Sequence, residues 1–133
     1  MKLKSLSPRA RLNSIRYAID GIIHFFAEEP NAWVHLFFTI LVIFMSAIFK
    51  LTEIEKFSVI IVTGMVWVSE FFNTAVERIM DDFSKQYDPR IKIIKDLSAS
   101  AVFLSAVTAV VAGTIIFIPK ILAHVHPYFY QKG

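Results

Sequence analysis

Cysteine is absent from the 133-residue chain, which excludes disulfide staples, thiolate-bound zinc and thiol catalysis. Glycine is scarce: Gly21, Gly64, Gly113 and Gly133 lie far apart. Neither G-x-x-x-x-G-K-S/T nor G-x-G-x-x-G therefore occurs, and any nucleotide chemistry proceeds without a glycine phosphate loop. Charge is thin as well, at 19% of residues with a net of +3, too small an excess to argue for nucleic-acid binding. What the chain has is apolar residues, 56% of it, with a mean hydropathy of +0.57. That composition rules out disorder and an ordinary water-soluble domain, and the length fits one compact unit over residues 1–133.

Three apolar runs, 32–49, 57–76 and 97–118, hold a single Asp, Glu, Lys or Arg among them, Glu70 in the second. A bilayer core about 30 Å thick needs roughly 20 apolar helical residues, so each run predicts a spanning helix, over 30–49, 57–80 and 96–118. Pro119 is expected to end the third. The first run starts too far along the chain to read as a signal peptide. Lys2, Lys4, Arg9, Arg11 and Arg16 precede the first span, and Arg78, Lys85, Arg90, Lys92 and Lys95 lie between the second and third. Only Lys50, Lys56, Lys120 and Lys132 fall on the other side. The asymmetry predicts a multi-pass protein of the cell membrane with a cytoplasmic amino terminus.

Ahead of the first span, residues 7–29 read as an amphipathic helix lying in the membrane surface. Ser7 suits the cap and Pro8 the first helical position. Leu12, Ile15, Ile19, Ile22, Ile23 and Phe26 fall on one face, opposite Arg9, Asn13, Arg16, Asp20 and His24. Pro30 disfavours helix at Glu29, which predicts a stop near Glu28 and Glu29 and places two carboxylates at the membrane boundary. The expected fold is an all-α membrane protein of three transmembrane helices plus this surface helix.

Glu70 is out of place in an apolar helix, where an acid costs several kcal/mol unless paired, protonated or hydrated. Glu70, Asn73, Glu77 and Asp81 are spaced 3, 4 and 4 residues apart and line one helical face. Glu70 then lies about 10 Å deeper than Glu77. The face continues into a polar loop, residues 82–96, that ends in Lys95 and Asp96. The bland alternatives are interhelical hydrogen bonding by Glu70 and Asn73, snorkelling by Lys95, and a helix amino-terminal acid at Asp96. In the third span, Ala101, Ser105, Ala109 and Gly113 form a small-residue ridge that lets another helix approach. His124 and His126 lack a third ligand nearby and read as interfacial polar residues.

Glu29 and Glu77, with no cysteine and no convergent histidine, suit a hard cation such as Mg²⁺, which takes a few protein oxygens plus substrate phosphates. Glu70, desolvated at membrane depth, suits a general base acting on a hydroxyl. Together these residues point to transfer between a soluble phosphate donor and a lipid alcohol. Two other classes stay open: a small proton-coupled transporter with Glu70 as relay, and a non-catalytic membrane assembly subunit. Against the transporter, residues 57–69 carry no charge to complete a path to the far side.

The stretch Glu70-Phe71-Phe72-Asn73-Thr74-Ala75-Val76-Glu77-Arg78-Ile79-Met80-Asp81 resembles the E-x-x-N-S/T-A-I/V-E-x-x-x-D signature of the prokaryotic diacylglycerol kinase and undecaprenol kinase family. Arg16-Tyr17 with Gly21, then Glu29, and Lys95-Asp96 match its other blocks, so the likeness runs from about Arg11 to Phe117. It implies a homotrimeric membrane lipid kinase with ATP as phosphoryl donor and active sites shared between subunits. By the likeness Glu70 is the catalytic base, Glu29 and Glu77 hold Mg²⁺ and with it the nucleotide phosphates, and Asn73 orients the cluster. Tyr17, Lys95 and Asp96 contact the nucleotide, as do Gln86 and Asp88, where diacylglycerol kinases of the family carry Glu and His. A family arginine that meets the phosphates falls at Ala10, with Arg9 and Arg11 as neighbours able to substitute. His35 stands where diacylglycerol-specific members have a second glutamate, and Asn31 with His35 looks more like the undecaprenol kinase branch. Whether His35 bears on substrate choice, or is an interfacial histidine without a role, stays open at this level.

Overall fold

The structure, a computed structural model, describes residues 8–130, with side chains through Val125. The expected Ser7 cap, and Lys2, Lys4, His126 and Lys132, lie outside the described residues or side chains. The order is all helical: α1 (Pro8–Glu28), α2 (Pro30–Ile48), α3 (Glu53–Phe83) and α4 (Pro89–Tyr130). α2, α3 and α4 are each long and apolar enough to cross a membrane. The chain divides into two compact units, one up to Val34 and one from His35 onward.

In the first unit, α1 stops at Glu28, as the proline at position 30 demands. Glu29 alone stands between the helices. Its N–H donates to Phe25 O at 2.9 Å, and its carbonyl accepts from Ala32 N–H at 3.1 Å, so Pro30 opens α2 without leaving the turn's backbone groups unmade. Trp33 then reaches back, donating from Nε1 to Phe26 O at 3.2 Å with its ring edge-on to Phe26. Leu12, Ile15, Ile19, Ile22 and Ile23 on α1 are all exposed in the protomer.

In the second unit, α2 ends where Lys50 adopts a positive φ of 46°. The N–H of buried Leu51 bonds back to Ser46 O at 3.5 Å, a Schellman-type stop with lysine in the place usually given to glycine. α3 starts at once with a capping box: Thr52 Oγ1 accepts from Glu55 N–H while the Glu55 carboxylate accepts from Thr52 N–H. The 31 residues of α3 span about 46 Å, more than a bilayer core, so one end must stand clear of it.

α4 packs along α3. The pairing is antiparallel, because Lys95 near the start of α4 bonds Asp81 near the end of α3 at 2.9 Å, while Lys120 bonds Glu55 at 3.0 Å. Two expectations need correction here. The polar loop is only residues 84–88, because Asp88 caps α4 through Arg90 N–H at 2.8 Å and Pro89 takes the first helical position. Asp96 is therefore two turns inside α4 rather than at its start, and it pairs with Lys92 at 2.5 Å. Pro119 does not stop the helix either; α4 continues to Tyr130. Proline there removes the N–H that would bond Ile115 O, a loss that membrane helices absorb through local adjustment and neighbouring groups.

Candidate active site

The second unit places the polar face of α3 against groups from both neighbouring helices. Along the apolar stretches the supply of ionisable side chains is minimal. α2 has only His35, α3 between Lys56 and Glu77 has only Glu70, and α4 between Asp96 and Lys120 has none. The two meet: His35 Nε2 lies 2.5 Å from Glu70 Oε1. Glu70 is 4% exposed, so the pairing answers the question of how an acid is held inside an apolar helix. Around the pair, Trp67 stands edge-on to the His35 ring with centroids 6.2 Å apart. Its Nε1 donates to Thr39 Oγ1 at 3.0 Å, and the Thr39 hydroxyl donates to His35 O at 2.7 Å. The Trp67–Thr39 bond, like the His35–Glu70 pair, ties α2 to α3.

One helical turn further along α3, Asn73 Nδ2 donates to Glu77 Oε1 at 3.1 Å. Ser98 on α4 donates to Asn73 Oδ1 at 2.7 Å, fixing which way the amide faces. Lys95 completes the series by donating to Asp81 Oδ1 at 2.9 Å. The four residues spaced along α3 therefore do share a face, and that face is held by His35 from one side and by Ser98 and Lys95 from the other. Ser98 was not legible as a site residue, because a serine in a small-residue stretch of a helix carries no signal of its own.

The remaining predicted site residues are less enclosed. Gln86 is exposed in the short loop, its N–H bonded to Ser84 Oγ at 3.1 Å. The Asp88 carboxylate takes the Arg90 guanidinium at 3.1 Å as well as the Arg90 N–H. Those two bonds, the guanidinium first, hold its carboxyl below the usual carboxylate range. Tyr17 on α1 is exposed, and Glu29 is partly covered. Both belong to the first unit. His124 stacks edge-on against Phe49 with centroids 6.1 Å apart. Among the described residues no group of three or more His, Asp or Glu side chains converges as a metal site.

This geometry gives a desolvated carboxylate with a fixed partner and, about 10 Å along the same face, oxygen donors with an oriented amide and a lysine beside them. Residues 16–117 match the family described as prokaryotic diacylglycerol kinase. The chain is 33% identical over 113 residues to a protein of Synechocystis sp. named diacylglycerol kinase, an alignment that covers 84% of this chain but 65% of that protein. It is 30% identical over 108 residues to the undecaprenol kinase of Bacillus subtilis, covering 81% of this chain and 88% of that one. By these matches the chain belongs to the prokaryotic diacylglycerol kinase family.

Proposed function

We propose that this protein is an ATP-dependent membrane lipid kinase that phosphorylates the hydroxyl of diacylglycerol or undecaprenol. The observation that carries the reading is the α3 face, where Glu70 lies buried within a candidate membrane span in line with Asn73 and Glu77. In the reaction, the lipid oxygen attacks the γ-phosphorus, the bond from that phosphorus to the ADP oxygen breaks, and Glu70 takes the hydroxyl proton. Glu29 and Glu77 are proposed as the Mg²⁺ ligands. Oxygen donors of this kind fit a cation that is bound through one or two carboxylates plus substrate phosphates. When bound, Mg²⁺ supplies neutralisation of the charge on the transferring phosphoryl group. Asn73 orients Glu77, and Lys95, held by Asp81, contributes positive charge beside it. Tyr17, Gln86, Asp88, Lys95 and Asp96 are proposed nucleotide contacts on the strength of the family pattern.

The same reading places α1 in the cytoplasmic membrane surface, its exposed Leu12, Ile15, Ile19, Ile22 and Ile23 turned to lipid and Arg9, Arg11 and Arg16 toward headgroups. It makes the amino terminus and the 84–88 loop cytoplasmic. It also proposes a homotrimer. A Cβ built at Gly113 would meet nothing within 4 Å, so the small-residue ridge of α4 is open at that point for another subunit's helix.

The test is labelled ATP offered to purified protein in vesicles holding diacylglycerol and undecaprenol side by side. Label in one or both lipids is expected, and the preferred lipid names the branch. Label in neither, with proton flux or with no activity at all, would favour the transporter or the assembly subunit instead.

A further inference from the structure

Two ionisable side chains lie in the apolar stretches of three helices, and they are bonded to one another across a helix boundary. A histidine recruited only to join helices would be equally served by a backbone carbonyl or a hydroxyl. This one engages a single oxygen of the proposed base, at 2.5 Å, with side chains only 19% and 6% exposed. The ring is confined on one side by the edge of Trp67, and its backbone is fixed by the bond that Thr39 sends to His35 O. A carboxylate has two oxygens. With one lone pair of Oε1 engaged by the ring, Oε2 is the oxygen that keeps both of its own for a proton, and rotation of the carboxylate about its last torsion is restrained.

We propose that His35 is the positioning residue for Glu70: its Nε2–H donates to Oε1 and so presents Oε2 to the lipid hydroxyl. The inference rests on the kinase reading above and deepens it. No other ionisable group from α2, from α3 between Lys56 and Glu77, or from α4 between Asp96 and Lys120 is available to do the same. A base held in place before the substrate arrives spares the reaction the loss of that freedom, and a misplacement of about 1 Å is worth about 100-fold in rate. His35 touches no reacting atom in this scheme and acts only through Glu70.

The experiment measures kcat and the ATP KM of lipid phosphorylation for wild type, His35→Leu and His35→Gln in the same vesicles. Loss of the donor in His35→Leu is expected to lower kcat about 10- to 100-fold while the ATP KM stays within about two-fold. His35→Gln keeps an N–H within reach of Oε1 and is expected to recover most of that loss. Wild-type kcat in His35→Leu, equal losses in both variants, or a KM that rises in step with the loss would each overturn the proposal. A second measurement stands apart from turnover and from the folding of the His35 variants. In protein isotope-labelled at the histidine ring nitrogens, Glu70→Gln should move the His35 signals and leave those of His24 in place. Unmoved His35 signals would mean that the pair does not form. A wild-type protein that phosphorylates no lipid would overturn the kinase reading, and the positioning role with it, while the ring signals still report on the pair by itself.

Discussion

Ser98 on α4 holds Asn73 on α3 by a 2.7 Å hydrogen bond to the amide oxygen, and the amide nitrogen of Asn73 is thereby turned to Glu77. A residue with no titratable group, on a different helix, thus sets the orientation of a proposed metal ligand. Such supporting bonds matter because they fix where a ligand's lone pairs point.

Replacing Ser98 by Ala removes the donor but leaves a residue that suits both helix and membrane. A hydrogen bond of this kind is worth about 1 kcal/mol, so the apparent affinity for MgATP should fall roughly five-fold. Nucleotide titration of the purified variant is the check. An affinity equal to wild type would show that Asn73 orients Glu77 without help.

Asp88 offers a pH test outside the membrane. Its carboxyl is held below the usual carboxylate range, first by the Arg90 guanidinium and then by the Arg90 N–H. Ionised Asp88 therefore supports the start of α4 at every pH above the ordinary carboxylate value of about 3.9, and that support is lost as pH falls through the lowered folded-state value. Carboxyl NMR should find the Asp88 midpoint below the ordinary value. In Arg90→Ala it should move up toward that value, and a midpoint indifferent to Arg90 would remove the pair from the account.

Gly113 tests assembly. Among the described residues nothing lies within 4 Å of where a Gly113 Cβ would be, so Gly113→Leu is expected to leave α4 and its packing on α3 intact. If another subunit's helix closes on the ridge there, the added side chain prevents it. Native mass spectrometry from detergent should then show trimer in wild type and smaller species in the variant. Trimer undiminished in Gly113→Leu would place the subunit contact elsewhere.

Much of the helical plan could be read directly. The Pro30 rule ended α1 at Glu28, and the 3-4-4 spacing put Glu70, Asn73, Glu77 and Asp81 on one face. What escaped has a common origin. Periodicity shows which side of its own helix a residue occupies, but not what stands opposite. His35 beside Glu70 and Ser98 beside Asn73 are facts of packing. The start of α4 was missed for another reason: hydropathy marks where a helix turns apolar, near position 96, whereas Asp88-Pro89 carries the cap that starts it. Pro119 does not end α4 because a helix of membrane-spanning character tolerates the loss of one backbone N–H that would stop a water-exposed helix.

The central claim is that Glu70, buried on the face it shares with Asn73 and Glu77, removes the proton from a lipid hydroxyl. Its most direct test is transfer of label from ATP to lipid by purified Glu70→Gln, with oligomeric state and ATP binding followed on the same sample. The account predicts assembly and nucleotide binding close to wild type with turnover reduced by about 10²- to 10⁴-fold. Turnover undiminished in that variant would contradict it.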